Sequence, residues 1–232
     1  MKVSVVVPAH NEEESIKKVL DRLKKAIRGL DYEIVVVNDN SRDRTREIVE
    51  KQQRANRRIK LVNRKPPNGF GLAMMDGIKN SGGDTIIFVM ADLCDEVEKI
   101  PEMVSKIEEG YDVVVASRFM KDGKVTDYSK LKLLANRLCN ETIRVLYGVP
   151  SGDITNAFKA YRASILRSIR LESSGFEVLP EIFLGAWKKG IRICEIPTLW
   201  SGRKAGVSKM KLLSSGKKYF RIVVLNRFKG SK

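Results

Sequence analysis

The chain has 232 residues, with 44 Lys and Arg against 28 Asp and Glu, which gives a formal net charge of +16 at pH 7. This length suits one domain with a sizeable core, and the charge predicts an anionic partner such as a nucleic acid, an anionic membrane surface or a phosphorylated substrate. Three widely spaced cysteines and a single histidine exclude a disulfide framework, a Cys-x-x-Cys zinc site and a multi-histidine metal site.

The sequence shows neither a secretory signal pattern nor an apolar run of the roughly 17–25 residues that a membrane span requires. Its basic surplus is uneven, because residues 201–232 contain ten basic residues and no acidic one. We therefore expect a protein that is cytosolic, or that lies on a membrane without crossing it.

Short apolar runs alternate with helical patterns through the first half of the chain. The pattern predicts strands over residues 2–8, 32–37, 59–62 and 112–116, a strand opening the stretch 84–95, and helices that include residues 71–79 and 101–109. Alternation at this spacing predicts an α/β fold with three layers, in which helices cover both faces of a mostly parallel central sheet.

Polar side chains follow the first two predicted strands. Asn11 and Glu14 have capping-box spacing and are assigned to the start of a helix, which leaves His10 and Glu12 for a ligand. Asp39 stands at the tip of the second strand, where we expect it to hydrogen-bond a nucleoside. Capping of the next helix by the polar residues that follow Asp39 is the alternative.

The stretch 84–95 is the predicted centre of the sheet. Asp92 and Asp95 come just past the carboxyl end of its apolar run, where open parallel sheets bind ligands. In so basic a chain, carboxylates at this place suggest a divalent metal that holds an anionic ligand. Capping of the turn into the following helix is the alternative interpretation.

The second half predicts a long helix over residues 129–147. Leu131, Leu134, Leu138 and Val145 share one face of it, and we expect this face to pack on the sheet. A short strand within 151–162, a helix over 177–189 and a strand over 191–196 follow. A glycine-rich basic loop and a basic helix over 212–228 complete the pattern, and this last helix suits a membrane interface.

Six motifs in this order resemble the family-two glycosyltransferases with the GT-A fold, and most closely their dolichyl-phosphate mannose synthase-like branch. The resemblance extends from residue 3 to about residue 211. The motifs occupy residues 8–12, 38–41, 90–92, 117–119, 153–162 and 203–209. The resemblance implies a GT-A domain over 1–210, followed by the basic helix over 211–232.

The resemblance also implies an inverting hexosyltransferase. The donor would be GDP-mannose or a UDP-hexose, and the acceptor a polyprenyl (dolichyl) phosphate. The implied nucleotide-sugar residues are Pro8, His10, Glu12, Val37, Asp39, Ala91, Asp92, Arg203 and Lys209. The implied lipid-phosphate residues are Arg118, Lys132, Asn136 and Arg137, and the implied catalytic residues are Asp92, Arg118 and Asp153.

The implied metal motif departs from the family pattern. Met90 replaces its first carboxylate, and Cys94 stands where a polar side chain often touches the metal. Mg²⁺ and Mn²⁺ prefer oxygen ligands. We therefore expect Mg²⁺ or Mn²⁺ to be held by Asp92, with Asp95 assisting.

Two other functions remain open from the sequence, and a third is not expected. One is transfer to a soluble sugar or protein acceptor, and a second is a catalytically inactive relative, suggested by Met90 and Cys94. A nucleic-acid-binding protein would need a basic face interleaved with aromatic residues. The aromatic residues do not cluster in that way, so no nucleic-acid partner is expected.

A lipid acceptor could be reached through the helix 129–147, the C-terminal helix or a small membrane subunit.

Overall fold

The computed structural model describes residues 1–203, Tyr219 and residues 221–223. Its strands are β1 (Lys2–Ala9), β2 (Asp31–Asn38), β3 (Ile59–Asn63), β4 (Thr85–Phe88), β5 (Val113–Ser117), β6 (Lys124–Thr126), β7 (Lys159–Arg162), β8 (Ile193–Pro197) and β9 (Leu199–Ser201). Its helices are α1 (Ile16–Ala26), α2 (Thr45–Ala55), α3 (Phe70–Asn80), α4 (Ile100–Glu108), α5 (Lys130–Tyr147), α6 (Ala163–Arg167) and α7 (Val178–Trp187).

Seven strands form one sheet in the order β3-β2-β1-β4-β7-β5-β8. Every neighbouring pair is parallel except the two that involve β7, which runs antiparallel to β4 and to β5. β4 is the central strand, as predicted, and its four residues are all buried. Such apolar strands need cover on both faces, because neither face is polar enough for water.

Two apolar cores lie on the opposite faces of this sheet. One contains residues of α1 and α4, such as Leu20 and Met103, and the other contains residues of α3 and α7, such as Met74 and Phe183. The predicted three-layer α/β architecture with a mostly parallel sheet is confirmed.

A small second sheet was not predicted. β6 and β9 pair in parallel, although the sequence around β6 reads as a polar loop. Three-residue strands carry too little apolar pattern to be recognised. The pairing places Trp200 of β9 beside Val125 of β6, and so fixes the chain just before Arg203.

The orientation of α5 contradicts the prediction. Its leucine face, defined as Leu131, Leu134, Leu138 and Val145, is exposed by 71, 66, 67 and 72 %, and the residues that α5 buries are Asn140 and Ile143. At 100° per residue, positions 131 and 140 lie on opposite sides of a helix. The expectation that this face packs on the sheet was wrong, because periodicity identifies an apolar face but not what covers it.

The predicted C-terminal helix falls almost entirely outside the described residues. Tyr219 and residues 221–223 are helical, and Tyr219 and Val223 are buried. Within the described part of the chain, no helix combines the length and the apolar character that crossing a bilayer would take.

Candidate active site

The strand register brings the implied donor-site residues to one edge of the sheet. Pro8 of β1 pairs with Val37 of β2, and β1 also pairs with β4. Both residues are buried at this edge of the sheet. The loops that follow β1, β2 and β4 therefore meet at the carboxyl ends of parallel strands, which is where such sheets bind ligands.

The loops after β1 and β2 are joined by hydrogen bonds. The N–H of Asn11 donates to Oγ of Ser41 at 3.0 Å, and Oδ1 of Asn11 accepts the N–H of Arg42 at 2.8 Å. The N–H of Glu12 donates to Oγ1 of Thr45 at 2.8 Å. These bonds fix the backbone of Glu12 at the sheet edge.

The predicted capping box at residues 11–14 is wrong. α1 begins only at Ile16, and its N-cap residue Ser15 makes no side-chain capping bond. The side chain of Asn11 is instead engaged by the neighbouring loop, and its backbone is left-handed, with φ of 53°. Asn tolerates this conformation better than most residues.

Asp39 lies in a polar cluster with residues of the segment after β3. Its carboxylate pairs with Arg64 and accepts the N–H of Gly69 at 2.8 Å. Its carbonyl oxygen accepts hydrogen bonds from Nδ1 of His10 at 2.7 Å and from Nδ2 of Asn68 at 2.9 Å. Contact between Asp39 and a nucleoside stays a prediction. Arg64 and Asn68 were not predicted for this cluster.

One guanidinium group joins the two donor-side carboxylates. Arg203 donates from Nη1 to Oε2 of Glu12 at 3.1 Å, and from Nη2 to Oε1 of Glu12 at 3.0 Å and to Oδ2 of Asp92 at 3.4 Å. All three side chains are largely buried. Burial disfavours the charge on Arg203, but the hydrogen bonds to Glu12 and the charge on Asp92 outweigh it and raise the pKa of the guanidinium. Lys209 lies outside the described residues.

The turn after β4 separates the two predicted metal ligands. Oδ2 of Asp95 accepts the N–H of Met90 at 2.9 Å inside this turn, and burial followed by the charge of Asp92 raises the pKa of Asp95 to about 7. Oδ1 of Asp92 accepts the N–H of Cys94 at 3.2 Å, while its Oδ2 faces Arg203. Burial raises the pKa of the Cys94 thiol, so it remains protonated.

Whether this site can hold a divalent cation depends on which carboxylate oxygen atoms lie close together. Within the described ranges, no group of three or more His, Cys, Asp or Glu side chains is arranged to hold a metal. However, Mg²⁺ is commonly held by one or two carboxylates together with substrate phosphates. Glu12 and Asp92 already surround a cationic nitrogen of Arg203, and this pair fits such a cation better than the predicted pair of Asp92 and Asp95.

The acceptor side is built on a buried ion pair at the end of β5. Arg118 donates to Asp153 from Nε at 2.8 Å, from Nη2 at 2.7 Å and from its backbone N–H at 2.9 Å. Burial opposes the charge on Arg118, but the charge and hydrogen bonds of Asp153 raise its pKa overall. Arg118 also influences the pKa of Asp95, so the donor and acceptor sides are adjacent.

Polar residues of α5 and of the loop before β7 extend this pair into a network. Oδ1 of Asn136 accepts bonds from Nη2 of Arg118 at 3.3 Å and from Nδ2 of Asn140 at 3.0 Å, and its Nδ2 donates to Oγ1 of Thr155 at 3.2 Å. The predicted lipid-phosphate residue Asn136 thus holds Arg118 in place. Asn140 and Thr155 were not singled out, because their roles depend on contacts between distant segments.

Aromatic rings hold the two arginines of the acceptor side. The ring centroid of Phe119 lies 5.0 Å from Cζ of Arg118 and 5.2 Å from Cζ of Arg137. Trp200 lies 5.8 Å from the same carbon of Arg118. Arg137 and Lys132 are exposed on α5, and their contact with a lipid phosphate stays a prediction.

A buried lysine stabilises the loop that carries Asp153. Nζ of Lys159 donates to the carbonyl oxygens of Ile154 and Asn156 and lies over the ring of Phe183. Burial lowers the pKa of Lys159 to about 7. The lysine therefore orders the acceptor-side loop from within the core.

Known proteins resemble this chain in sequence and in fold. The model of glycosyl transferase family 2 matches residues 4–170. The dolichol-phosphate mannosyltransferase of Pyrococcus furiosus is 34% identical over 220 residues, which cover 91% of this chain and 60% of that protein. The chain therefore spans about three fifths of the length of this relative.

Solved structures share the fold. The glucosyl-3-phosphoglycerate synthase of Mycobacterium tuberculosis in complex with Mn²⁺, UDP and phosphoglyceric acid matches with a TM-score of 0.74 at 19% identity, covering 100% of this chain and 80% of that one. The same enzyme with Mg²⁺ and UDP matches with a TM-score of 0.73 at 18% identity and the same coverage. With a GT-A fold and a family model that matches most of its length, this chain belongs to glycosyl transferase family 2.

Proposed function

We propose that this chain transfers a hexose from GDP-mannose or a UDP-hexose to a polyprenyl (dolichyl-type) phosphate, with inversion at the sugar carbon. The observation that carries the choice of acceptor is the exposed leucine face of α5, which lies on the helix that also bears the exposed Lys132 and Arg137. The similarity to a dolichol-phosphate mannosyltransferase supports the same choice.

The donor side suits a nucleotide diphosphate. Asp39, Arg64 and Asn68 offer hydrogen-bonding groups for a nucleoside at one end, and Arg203 offers a guanidinium for the diphosphate at the other. A bidentate guanidinium matches phosphate geometry and charge. The Mg²⁺ or Mn²⁺ predicted from the resemblance would, when bound, offset the charge that develops on the departing diphosphate. Glu12 and Asp92 are the residues that fit it.

The acceptor side suits a phosphate nucleophile. A phosphate monoester has a second pKa near 6, so at pH 7 its oxygen atoms are already mostly ionised and need no general base. In the transfer, one such oxygen bonds to the anomeric carbon while the bond to the donor diphosphate breaks and its electron pair leaves with the nucleoside diphosphate. The protein must hold the anion, and Arg118, Arg137 and Lys132 supply positive charge for this.

Asp153 acts on the acceptor through Arg118. Because Asp153 is buried and binds Nε and Nη2 of Arg118, it orients the guanidinium. Among the described residues, Nη1 of Arg118 has no hydrogen-bond partner. That nitrogen is the one we assign to the acceptor phosphate.

The leucine face explains how the acceptor reaches the site. A monomeric soluble protein rarely exposes a continuous apolar patch unless the patch binds something, and α5 buries few residues of its own against the domain. An amphipathic helix with apolar residues on one side and basic residues on its flanks is typical of a membrane interface. We therefore place the protein on the cytoplasmic face of a membrane, with the leucine face in the lipid. A small membrane subunit stays a prediction.

The test is a transfer assay with three labelled donors, GDP-mannose, UDP-glucose and UDP-N-acetylglucosamine. Each is supplied with dolichyl phosphate in mixed micelles, with a soluble phosphorylated acceptor such as 3-phosphoglycerate, or with no acceptor. We expect label in the organic phase from one donor, and only with dolichyl phosphate. Transfer to the soluble acceptor without any lipid-linked product would replace this proposal with the soluble alternative.

A further inference from the structure

We propose that Glu12 supplies the second carboxylate for the divalent cation of the donor site, and that Arg203 occupies the place of this cation until it enters. The inference rests on the proposed function only in that a nucleotide-diphosphate donor is bound here. Met90 stands where the family pattern has a carboxylate in the turn after β4, so the cation needs another oxygen ligand.

The geometry around Arg203 defines the place. A single nitrogen, Nη2, lies 3.0 Å from Oε1 of Glu12 and 3.4 Å from Oδ2 of Asp92. Ligand oxygens lie at about 2.1 Å from Mg²⁺, so each carboxylate needs to move inward by only about 1 Å if the ion takes the position of this nitrogen. Both carboxylates come from loops at the same sheet edge, so the movement leaves the sheet unchanged.

Asp95 is poorly placed for the same task. Its carboxylate is buried inside the turn and accepts the N–H of Met90. Turning Asp95 towards a cation would leave that backbone donor without its acceptor, which is costly in a buried place. The carboxylate of Glu12 already faces the position of Nη2, and its backbone N–H is held by Thr45.

The side chain of Glu12 is oriented by a neighbour. Oγ of Ser15 donates to Oε2 of Glu12 at 3.1 Å, and leaves Oε1 to face Nη2 of Arg203. Carboxylates that hold metals are commonly oriented by such hydrogen bonds from residues that do not touch the metal themselves. Oε1 of Glu12 is therefore the oxygen we assign to the cation.

Charge explains why the exchange is favourable when a donor binds. Two carboxylates with one guanidinium carry a net negative charge, which repels a diphosphate. A divalent cation that replaces Arg203 neutralises the two carboxylates and releases the guanidinium to pair with the diphosphate.

The experiment measures Mn²⁺ binding by electron paramagnetic resonance, first without nucleotide and then with GDP or UDP. The variants are Glu12→Gln, Arg203→Gln and, as a control that also removes one carboxylate charge near Asp92, Asp95→Asn. We expect Glu12→Gln to weaken Mn²⁺ binding by about tenfold or more. Asp95→Asn should change it little, and Arg203→Gln should strengthen it without nucleotide, because a competing cation is gone.

Two results with the variants would overturn the inference. The first is Mn²⁺ binding that survives Glu12→Gln and is lost in Asp95→Asn. The second is Arg203→Gln leaving Mn²⁺ affinity unchanged. Thermal unfolding of each variant checks the fold, and Glu12→Asp, which keeps the charge on a shorter side chain, should bind Mn²⁺ better than Glu12→Gln. Failure of lipid-linked transfer with the Mn²⁺ pattern intact would count against the acceptor alone. If wild-type protein binds no Mn²⁺ with any nucleotide, the inference is wrong even where transfer proceeds.

Discussion

The donor and acceptor sides of the site each contain an arginine paired with a carboxylate, but the two pairs differ in how firmly they are held. Arg118 is bound to the buried Asp153 through three nitrogen atoms, and rings of Phe119 and Trp200 lie beside it. The guanidinium of Arg203 is shared between two carboxylates, and its hydrogen bond to Asp92 is long, at 3.4 Å. The pair of Arg118 and Asp153 is therefore the more firmly held of the two, and the donor-side pair is the one that we propose for exchange with a cation.

The largest expected effect is at Asp153. Replacing it by Ala leaves the buried guanidinium of Arg118 without its partner, which typically destabilises a protein by about 3–5 kcal/mol. Urea unfolding monitored by circular dichroism measures this loss. Asp153→Asn keeps one acceptor oxygen for the guanidinium and should cost less. Equal stability of wild type and Asp153→Ala would show that the pair is not the fixed centre of the acceptor side.

A pH effect tests the rigidity of the acceptor-side loop. Burial lowers the pKa of Lys159 to about 7, against 10.5 for a free lysine. The nearby charge of Arg118 also lowers it, whereas the charges of Asp153, Glu195 and Asp95 raise it. Between these values the unfolded chain binds the extra proton, so this lysine makes stability rise with pH above 7, by at most about 1.4 kcal/mol per pH unit. Below pH 7 the lysine is protonated in both the folded and the unfolded state, so the full cost of burying its charge is present.

Unfolding of wild type and Lys159→Met from pH 6 to 9 measures the effect. The difference in free energy of unfolding between the two proteins should change with pH in favour of the wild type as pH rises. A difference that is constant over this range would mean that Lys159 stays protonated in the fold.

A smaller effect is expected at Phe119. Its ring centroid lies 5.0 Å from Cζ of Arg118 and 5.2 Å from Cζ of Arg137, and cation–π contacts contribute about 0.5–2 kcal/mol. Phe119→Leu should therefore raise KM for the lipid phosphate by roughly tenfold while KM for the nucleotide sugar stays the same. Phe119→Tyr should restore the wild-type value. A rise in KM for both substrates would remove the distinction between the two sides.

Local sequence patterns were sufficient for the sheet and for part of the site. β1, β2 and β4 are rich in Val and Ile, which is typical of buried parallel strands. The polar residues that follow them had to meet at one edge, so the sequence alone was enough to assign Glu12, Asp39 and Asp92 to the same place.

The rest of the site depends on contacts between distant segments, which no local sequence pattern encodes. The bond between Arg203 and Glu12 joins residues at opposite ends of the described chain, and the pair of Asp39 with Arg64 joins two separate loops. The capping assignment at Asn11 failed because a neighbouring loop competed for the same side chain. The face of α5 was recognised, but it was assigned to the sheet because a helical period does not show whether a protein core covers an apolar face.

The leucine face gives the most direct test of the central claim, that the acceptor is a membrane lipid. The measurement compares wild type with Leu131→Ser/Leu134→Ser/Leu138→Ser, using dolichyl phosphate in anionic vesicles and a short water-soluble prenyl phosphate as alternative acceptors. We predict that the variant loses most transfer to the vesicle acceptor and keeps transfer to the soluble one. Equal transfer by both proteins to the vesicle acceptor would contradict the account.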